Sequence, residues 1–317
     1  MRYIEMWNEF NSDGYWTGTD AQLATMSNDA STIIHEYCGD CYVVAGSTSA
    51  GGDGYHANGQ PGNYLTALED YLQQWGAISG ASLPNAVSFH AYPSRTNVTP
   101  APFPTTIVSH SSSLCSTTTP SVYCRAAIKD QVNDVNSTSV LKNAAISSWA
   151  GSLPVLITEG GYGLDSNVCD GSNCDVSDNN VVFLRAAYAA EWEMLLAAQG
   201  PEHVLWYAYN EPNWGTMWSS GSGTNETYTA FVQMSQWLQS MTITSQPIES
   251  AVTGGNVWIV QGTINGAKAE LIFFDGWLTS YNYATAYGTV ETLDGVTSPT
   301  NGVVKATQEP QLLTDYK

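Results

Sequence analysis

The sequence predicts an α/β chain, a parallel strand–helix core followed by a small antiparallel β-domain, on three observations. Short apolar runs alternate with segments of helical period up to about residue 243. Those runs are continuously apolar, as expected of parallel strands buried on both faces. From about residue 245 the pattern changes to short strands separated by Gly and Asn turns, which reads as an antiparallel β-sandwich. The expected division is therefore 1–243 for the strand–helix domain and 244–317 for the β-sandwich, and 317 residues suffice for one large and one small core.

Each element has its own signal. Strands are expected near 2–7, 42–45, 86–91, 154–158 and 203–209. Residues 21–37 form a helix with Leu23, Met26, Ala30, Ile33, Ile34 and Tyr37 on one face. A second helix over 63–75 turns Leu65, Leu68, Leu72 and Trp75 inward. Helical pattern returns over 126–149, 180–198 and 226–241. Residues 93–121, rich in Pro, Ser and Thr, read as a long surface loop. In the β-domain the strands are expected at 257–262, 267–274, 284–293 and 303–307.

Composition narrows the function. Charged residues are 12% of the chain and the formal net charge is −20, from 29 acidic against 9 basic residues. Such a surface repels nucleic-acid phosphates and anionic lipid, and tolerates a neutral polymer such as a polysaccharide. The 11 Trp and 18 Tyr residues suit stacking on sugar faces, although a large core also enriches aromatics. No apolar run approaches the ~18 residues of a membrane span, and no signal peptide opens the chain.

Six cysteines fall into three close pairs, Cys38/Cys41, Cys115/Cys124 and Cys169/Cys174. Local disulfides are the simplest pairing and imply an exported, extracellular protein. The competing reading of Cys38-Gly-Asp-Cys41 as a metal or redox motif needs a second pair of that spacing for zinc, and none has it. Asn97, Asn136 and Asn225 head Asn-x-Ser/Thr triplets that permit glycosylation. Asp165, Asp170, Asp175 and Asp178 cluster in the third cysteine loop. Calcium takes such oxygen ligands, but their spacing fits no calcium-loop motif, and a solvated acidic loop is the expected reading.

Four motifs carry chemistry. Trp7-Asn8-Glu9-Phe10-Asn11, Ser88-Phe89-His90-Ala91-Tyr92-Pro93, Leu156-Ile157-Thr158-Glu159-Gly160-Gly161 and Leu205-Trp206-Tyr207-Ala208-Tyr209 all place polar or aromatic groups at the C-terminal ends of expected parallel strands. In β/α barrels that rim carries the chemistry. An Asn-Glu pair ending one strand, His-x-Tyr a later one, Glu the next and Trp the last resembles clan A of the retaining glycoside hydrolases. The trailing β-domain is similar to that of the xylosidase-like and glucosylceramidase-like branches. The resemblance implies a (β/α)8 TIM-type barrel of which strands four to eight are present and the first three β/α units are lacking.

The resemblance also implies roles. Glu9 is the general acid/base and Glu159 the nucleophile. Asn8 donates to the sugar 2-hydroxyl, Tyr92 hydrogen-bonds the nucleophile, His90 lines the same subsite and Trp206 is the sugar platform. No metal or cofactor is called for; the partner is a carbohydrate substrate. The physics fits the pattern: two carboxyls must stand about 5–5.5 Å apart across the glycosidic bond, one holding a proton and the other ionised. Asn210-Glu211-Pro212-Asn213 spells the acid/base motif more faithfully, yet it follows the last strand and Glu159. It reads as a loop turn from which Glu211 contacts substrate.

The departure from the family lies at the start, where one residue precedes the first strand. A barrel without three strands leaves open edges, a surface for self-association. The expectation is a fragment; the competing readings are closure by another chain, or an inactive partial barrel that at most binds carbohydrate.

Overall fold

The computed structural model describes residues 2–49, 64–91, 106–107, 123–124, 141, 143–160, 179–210, 217–276 and 280–316. They belong to two compact units. The first comprises Met1–Thr96, Asp130–Gly160 and Pro201–Trp206; the second comprises Asn97–Lys129, Gly161–Gly200 and Tyr207–Lys317.

The first unit is built on parallel strands: β1 (Arg2–Glu5), β2 (Cys41–Val44) and β3 (Val87–Ala91), then, beyond the two-residue strands β4 (Thr106–Ile107) and β5 (Tyr123–Cys124) of the second unit, β6 (Val155–Gly160) and β7 (His203–Val204). β1 pairs with β2 from Arg2↔Cys41 to Glu5↔Val44, and β6 lies between β3 and β7. A bridge between Val44 and Ala86 and the 2.9 Å bond from Ala45 N to Ala86 O join the two sets. The spatial order is thus β1-β2-β3-β6-β7. Side chains also link the two outermost strands: the Tyr3 hydroxyl donates to Glu202 Oε1 at 2.6 Å, and its ring meets His203 edge-on with centroids 5.1 Å apart.

Helices α1 (Asp20–Tyr37) and α2 (Tyr64–Gly76) pack against each other. α1 opens with a capping box in which Thr19 and Gln22 satisfy each other's backbone N–H. Its buried face is Leu23, Ala24, Ser27 and Ser31, a correction to the expected face, since Ile33 and Tyr37 are exposed. The reason lies in α2, whose large buried Tyr71 meets that face. α1 offers small residues there, and the Tyr71 hydroxyl donates to Ser27 Oγ at 2.7 Å. On α2 the expected Leu68, Leu72 and Trp75 are buried as read, with Leu65 at the margin.

Other boundaries move. The strand expected over 203–209 ends at Val204. Leu205 still donates its N–H to Ile157 O at 2.8 Å, but its side chain is exposed and pairing stops there. Of the helix expected over 126–149, residues 147–150 form the single turn α3 (Ser147–Ala150), with turns at 144–146; residues 126–140 and 142 lie outside the described residues.

In the second unit, α4 (Asn179–Ala197) packs on α5 (Glu226–Ser240). From Ala189 to Leu196 every residue of α4 is buried, as in a helix enclosed on all sides. α5 is capped by Asn225, whose side chain accepts from Tyr228 N at 3.1 Å. Glu193 on α4 is held by the Ser235 hydroxyl of α5, and burial pushes its carboxyl up to about 8.

The β-region of this unit follows the small ribbon β8 (Trp218–Ser219) and β9 (Gly223–Thr224). It comprises β10 (Met241–Ile243), β11 (Ile248–Val252), β12 (Gly255–Ile264), β13 (Ala267–Gly276), β14 (Tyr281–Ala284), β15 (Tyr287–Glu291), β16 (Thr297–Pro299), β17 (Val303–Ala306) and β18 (Gln311–Tyr316). Seven of these form one antiparallel sheet in the order β10-β12-β13-β18-β15-β16, with β11 also on β12. β14 and β17 form a separate ribbon whose Tyr281, Tyr283, Val304 and Ala306 pack with Val257, Ile259, Ile272, Phe274 and Leu313 of the large sheet. Asn265 and Gly266, both at positive φ, make the β12–β13 hairpin turn, where each residue needs the left-handed region.

Candidate active site

The loop that follows β1 is fastened at almost every residue. Ser47 N donates to Trp7 O at 3.0 Å, Phe10 N donates to Ser47 O at 3.3 Å, and Ser47 Oγ lies 3.4 Å from Glu9 N. Asn11 is buried and clasps Ser49 with both ends of its amide, Nδ2 to Ser49 O at 2.9 Å and Oδ1 from Ser49 N at 2.8 Å. Phe10 is buried with its ring 4.9 Å from that of Tyr71. Gly46 makes this closeness fit: a Cβ there would sit 3.1 Å from both the N and the O of Trp7. Between these anchors Glu9 adopts φ 43°, a left-handed conformation that a non-glycine residue keeps only when its surroundings impose it.

His90 and Glu159 come from adjacent strands. β3 and β6 pair Phe89 with Ile157 but His90 with Glu159, so Thr158 is one extra residue in β6. This bulge sets His90 opposite the carboxylate rather than opposite the hydroxyl. His90 N also donates to Thr48 O at 2.8 Å, which ties β3 to the chain beyond β2.

The three side chains converge. His90 Nδ1 lies 2.9 Å from Glu9 Oε1 and 3.6 Å from Glu159 Oε2, with the imidazole 1% exposed and the two carboxyls 14% and 24% exposed. Laid end to end, those distances bound the separation of the two oxygens at about 6.5 Å, which admits the roughly 5–5.5 Å of a retaining pair. The Glu9–His90 contact is a seat for one proton. Either the ring N–H donates to an ionised Glu9, or a protonated Glu9 donates to the ring. Both carboxyls reach solvent while the ring between them does not, so a ligand could touch both acids without displacing His90.

Beneath this trio lies a second one on the same three strands, missed by the sequence reading. Glu5 Oε1 of β1 lies within hydrogen-bonding reach of Ser88 Oγ of β3 and, at 2.8 Å, of Thr158 Oγ1 of β6. Burial pushes the Glu5 carboxyl up, and the charge of Glu159 adds to the rise; the hydroxyl bonds from Ser88 and Thr158 and the field of His90 oppose it. The available signal was a lone acid inside the apolar run Tyr3-Ile-Glu-Met-Trp7, four residues before Glu9.

The remaining expected residues are placed less closely. Asn8 is exposed on the same loop. Trp206 is half-buried two residues beyond the end of β7, the strand next to β6. Tyr92 and Glu211 lie outside the described residues, as do Cys115, Cys169, Cys174, the acidic group Asp165, Asp170, Asp175 and Asp178, and the triplets at Asn97 and Asn136. Cys124 lies in β5, where its backbone is described but its side chain is not. Cys38 and Cys41 form a disulfide that joins the end of α1 to the start of β2. Among the described residues no helix is long and apolar enough to cross a membrane.

Comparison with solved structures returns glycoside hydrolases. A family 51 α-L-arabinofuranosidase from Bifidobacterium longum aligns with a TM-score of 0.51 at 12% identity, over 99% of this chain and 66% of its own. The likeness is one of fold. A glucosidase from Croceicoccus marinus aligns at 0.46 and 13% identity over 94% of this chain and 53% of its own. A family 5 xyloglucanase from Paenibacillus pabuli aligns at 0.38 and 14% identity over 73% and 74%. The chain thus spans about half of the glucosidase and just under two thirds of the arabinofuranosidase. No protein-family model matches the sequence, and a search of curated proteins returns no match.

Proposed function

We propose that this chain hydrolyses β-glycosidic bonds of oligo- or polysaccharides with retention of configuration, with Glu9 as acid/base and Glu159 as nucleophile. The observation that carries the reading is the convergence of both carboxyls on one buried imidazole nitrogen, 2.9 and 3.6 Å away. In the first step Glu159 attacks the anomeric carbon as the bond to the leaving oxygen breaks, and Glu9 gives its proton to that oxygen. In the second, Glu9 takes a proton from water, the water oxygen bonds to the anomeric carbon, and Glu159 leaves as carboxylate. His90 orients both acids and holds Glu9 at its station through either direction of proton transfer.

Within this reading β1, β2, β3, β6 and β7 correspond to strands four to eight of a (β/α)8 barrel, Trp206 is the sugar platform, Asn8 meets the 2-hydroxyl, Tyr92 is the hydrogen-bond partner of the nucleophile, and Glu211 contacts substrate. The Cys38–Cys41 disulfide and the sparse charge support a place outside the cell. The test is hydrolysis of a panel of aryl β-glycosides by the wild type beside Glu9→Gln and Glu159→Gln. Turnover of one sugar with both variants reduced by about three orders of magnitude or more is the expected result. Binding of sugars with no hydrolysis would instead make the chain a carbohydrate-binding partial barrel.

A further inference from the structure

Ser88 Oγ stands within hydrogen-bonding reach of two acceptors at once, Glu5 Oε1 and, at 2.9 Å, the backbone oxygen of Ala45. Thr158 Oγ1 reaches the same Glu5 oxygen at 2.8 Å. The result is a chain of three contacts, Thr158 to Glu5 to Ser88 to Ala45. Three hydrogen bonds need three hydrogens. The two hydroxyls bring one each, and the Ala45 carbonyl brings none. An ionised Glu5 also brings none, and then one of the three contacts sets two lone pairs face to face. A neutral Glu5 completes the chain: Thr158 donates to Glu5, Glu5 donates to Ser88, and Ser88 donates to Ala45 O.

We propose that Glu5 is a positioning residue that stays un-ionised while the Glu9–Glu159 pair works, its proton closing the hydrogen-bond chain that fixes the three strands beneath the two carboxyls. The proposal deepens, and rests on, the reading of Glu9 and Glu159 as the reacting pair. Each strand that supplies an upper residue supplies a lower one: β1 gives Glu5 and leads into Glu9, β3 gives Ser88 and His90, and β6 gives Thr158 and Glu159. A shift of the lower trio therefore moves the upper one.

The charges facing Glu5 agree. His90 from β3 favours its anion, Glu159 from β6 disfavours it, and burial outweighs the rest. Tyr71 from α2 also feels Glu5. A second negative charge under a pair that already holds one would make ionisation of the nucleophile harder. A neutral acid there supplies the hydrogen bonds without the charge.

The test is an infrared difference spectrum at about pH 6, wild type minus Glu5→Gln, which reads Glu5 without any substrate. An un-ionised carboxyl stretch that disappears in Glu5→Gln and persists in Glu9→Gln is the expected result. Kinetics supply the second readout: Glu5→Gln keeps kcat within about twofold and leaves the alkaline limb of kcat/KM in place, whereas Glu5→Leu loses about tenfold or more in kcat. If no such band is found and Glu5→Gln moves the alkaline limb to lower pH, Glu5 carries charge and the proposal is overturned. Should Glu5→Leu fail to fold, the Gln variant and its spectrum still decide. Should the wild type hydrolyse nothing, the proposed activity fails while the band still reports on Glu5.

Discussion

His90 and Glu159 face each other because Thr158 is the extra residue in β6: without it, regular pairing after Phe89 and Ile157 would put His90 opposite Thr158. The bulge does two things with one residue. It turns the Glu159 carboxylate toward His90 Nδ1, 3.6 Å away, and it turns the Thr158 hydroxyl down onto Glu5.

Replacing His90 tests the upper half of that arrangement. His90→Leu removes the nitrogen that both acids share, and kcat/KM should fall about a hundredfold. His90→Asn, which keeps a polar nitrogen close to the Nδ1 position, should recover part of the loss. Equal activity in the two variants would remove His90 from the site.

Phe10 anchors Glu9 by packing, so it should show in stability first. Phe10→Ala leaves a cavity against Tyr71, and urea denaturation should record a loss of about 3–5 kcal/mol. The same variant should lower kcat, since its neighbour Glu9 is held at φ 43° by that anchor.

Gly46 tests precision rather than stability. The Cβ of Gly46→Ala would sit 3.1 Å from the Trp7 N and O, so the loop carrying Glu9 must shift by a few tenths of an ångström. We expect kcat to fall by about tenfold with KM little changed, as for a misplaced reacting group. Unchanged kinetics would mean that the loop adjusts without moving Glu9.

Glu193 sets a pH dependence of stability within the second unit. Its carboxyl rises from an ordinary 4.5 to about 8 through burial between α4 and α5. The folded state therefore binds the proton more tightly than the unfolded chain. That stabilisation is complete below about pH 4.5 and is lost as pH rises through about 8. The midpoint temperature of the wild type should fall across this window, and Glu193→Gln should flatten the fall and be the more stable protein at alkaline pH. Parallel curves for the two proteins would contradict the assignment.

The sequence made some of this legible and hid the rest, for identifiable reasons. Glu9, His90 and Glu159, whose side chains the structure brings together, were singled out because each ends an apolar run, and the order of the motifs carried the inference. Glu5 and Ser88 were missed because a polar residue inside a strand looks like a break in the pattern until its partners on other strands are seen. The α1 face was misread because hydrophobicity pointed to Ile33 and Tyr37, whereas the buried side is that of Leu23, Ala24, Ser27 and Ser31, where Ser27 meets the Tyr71 hydroxyl of α2. The strand ending at Val204 was overextended because Leu205, Trp206 and Tyr207 have the side chains of a strand, though the backbone pairing stops before them. Phe10 stood in a quoted motif without a role of its own; its burial against Tyr71 gives it a physical one.

In the proposed reaction Glu159 becomes covalently bonded to the sugar while Glu9 handles the proton. This is tested most directly by mass spectrometry of Glu9→Gln, quenched during reaction with an aryl glycoside whose leaving group needs no acid. That variant can form the glycosyl-enzyme but lacks the base to release it. One added glycosyl unit is expected on the peptide that contains Glu159, and none in Glu159→Gln. An adduct on another residue, or wild-type turnover that gives a product of inverted configuration, would contradict it.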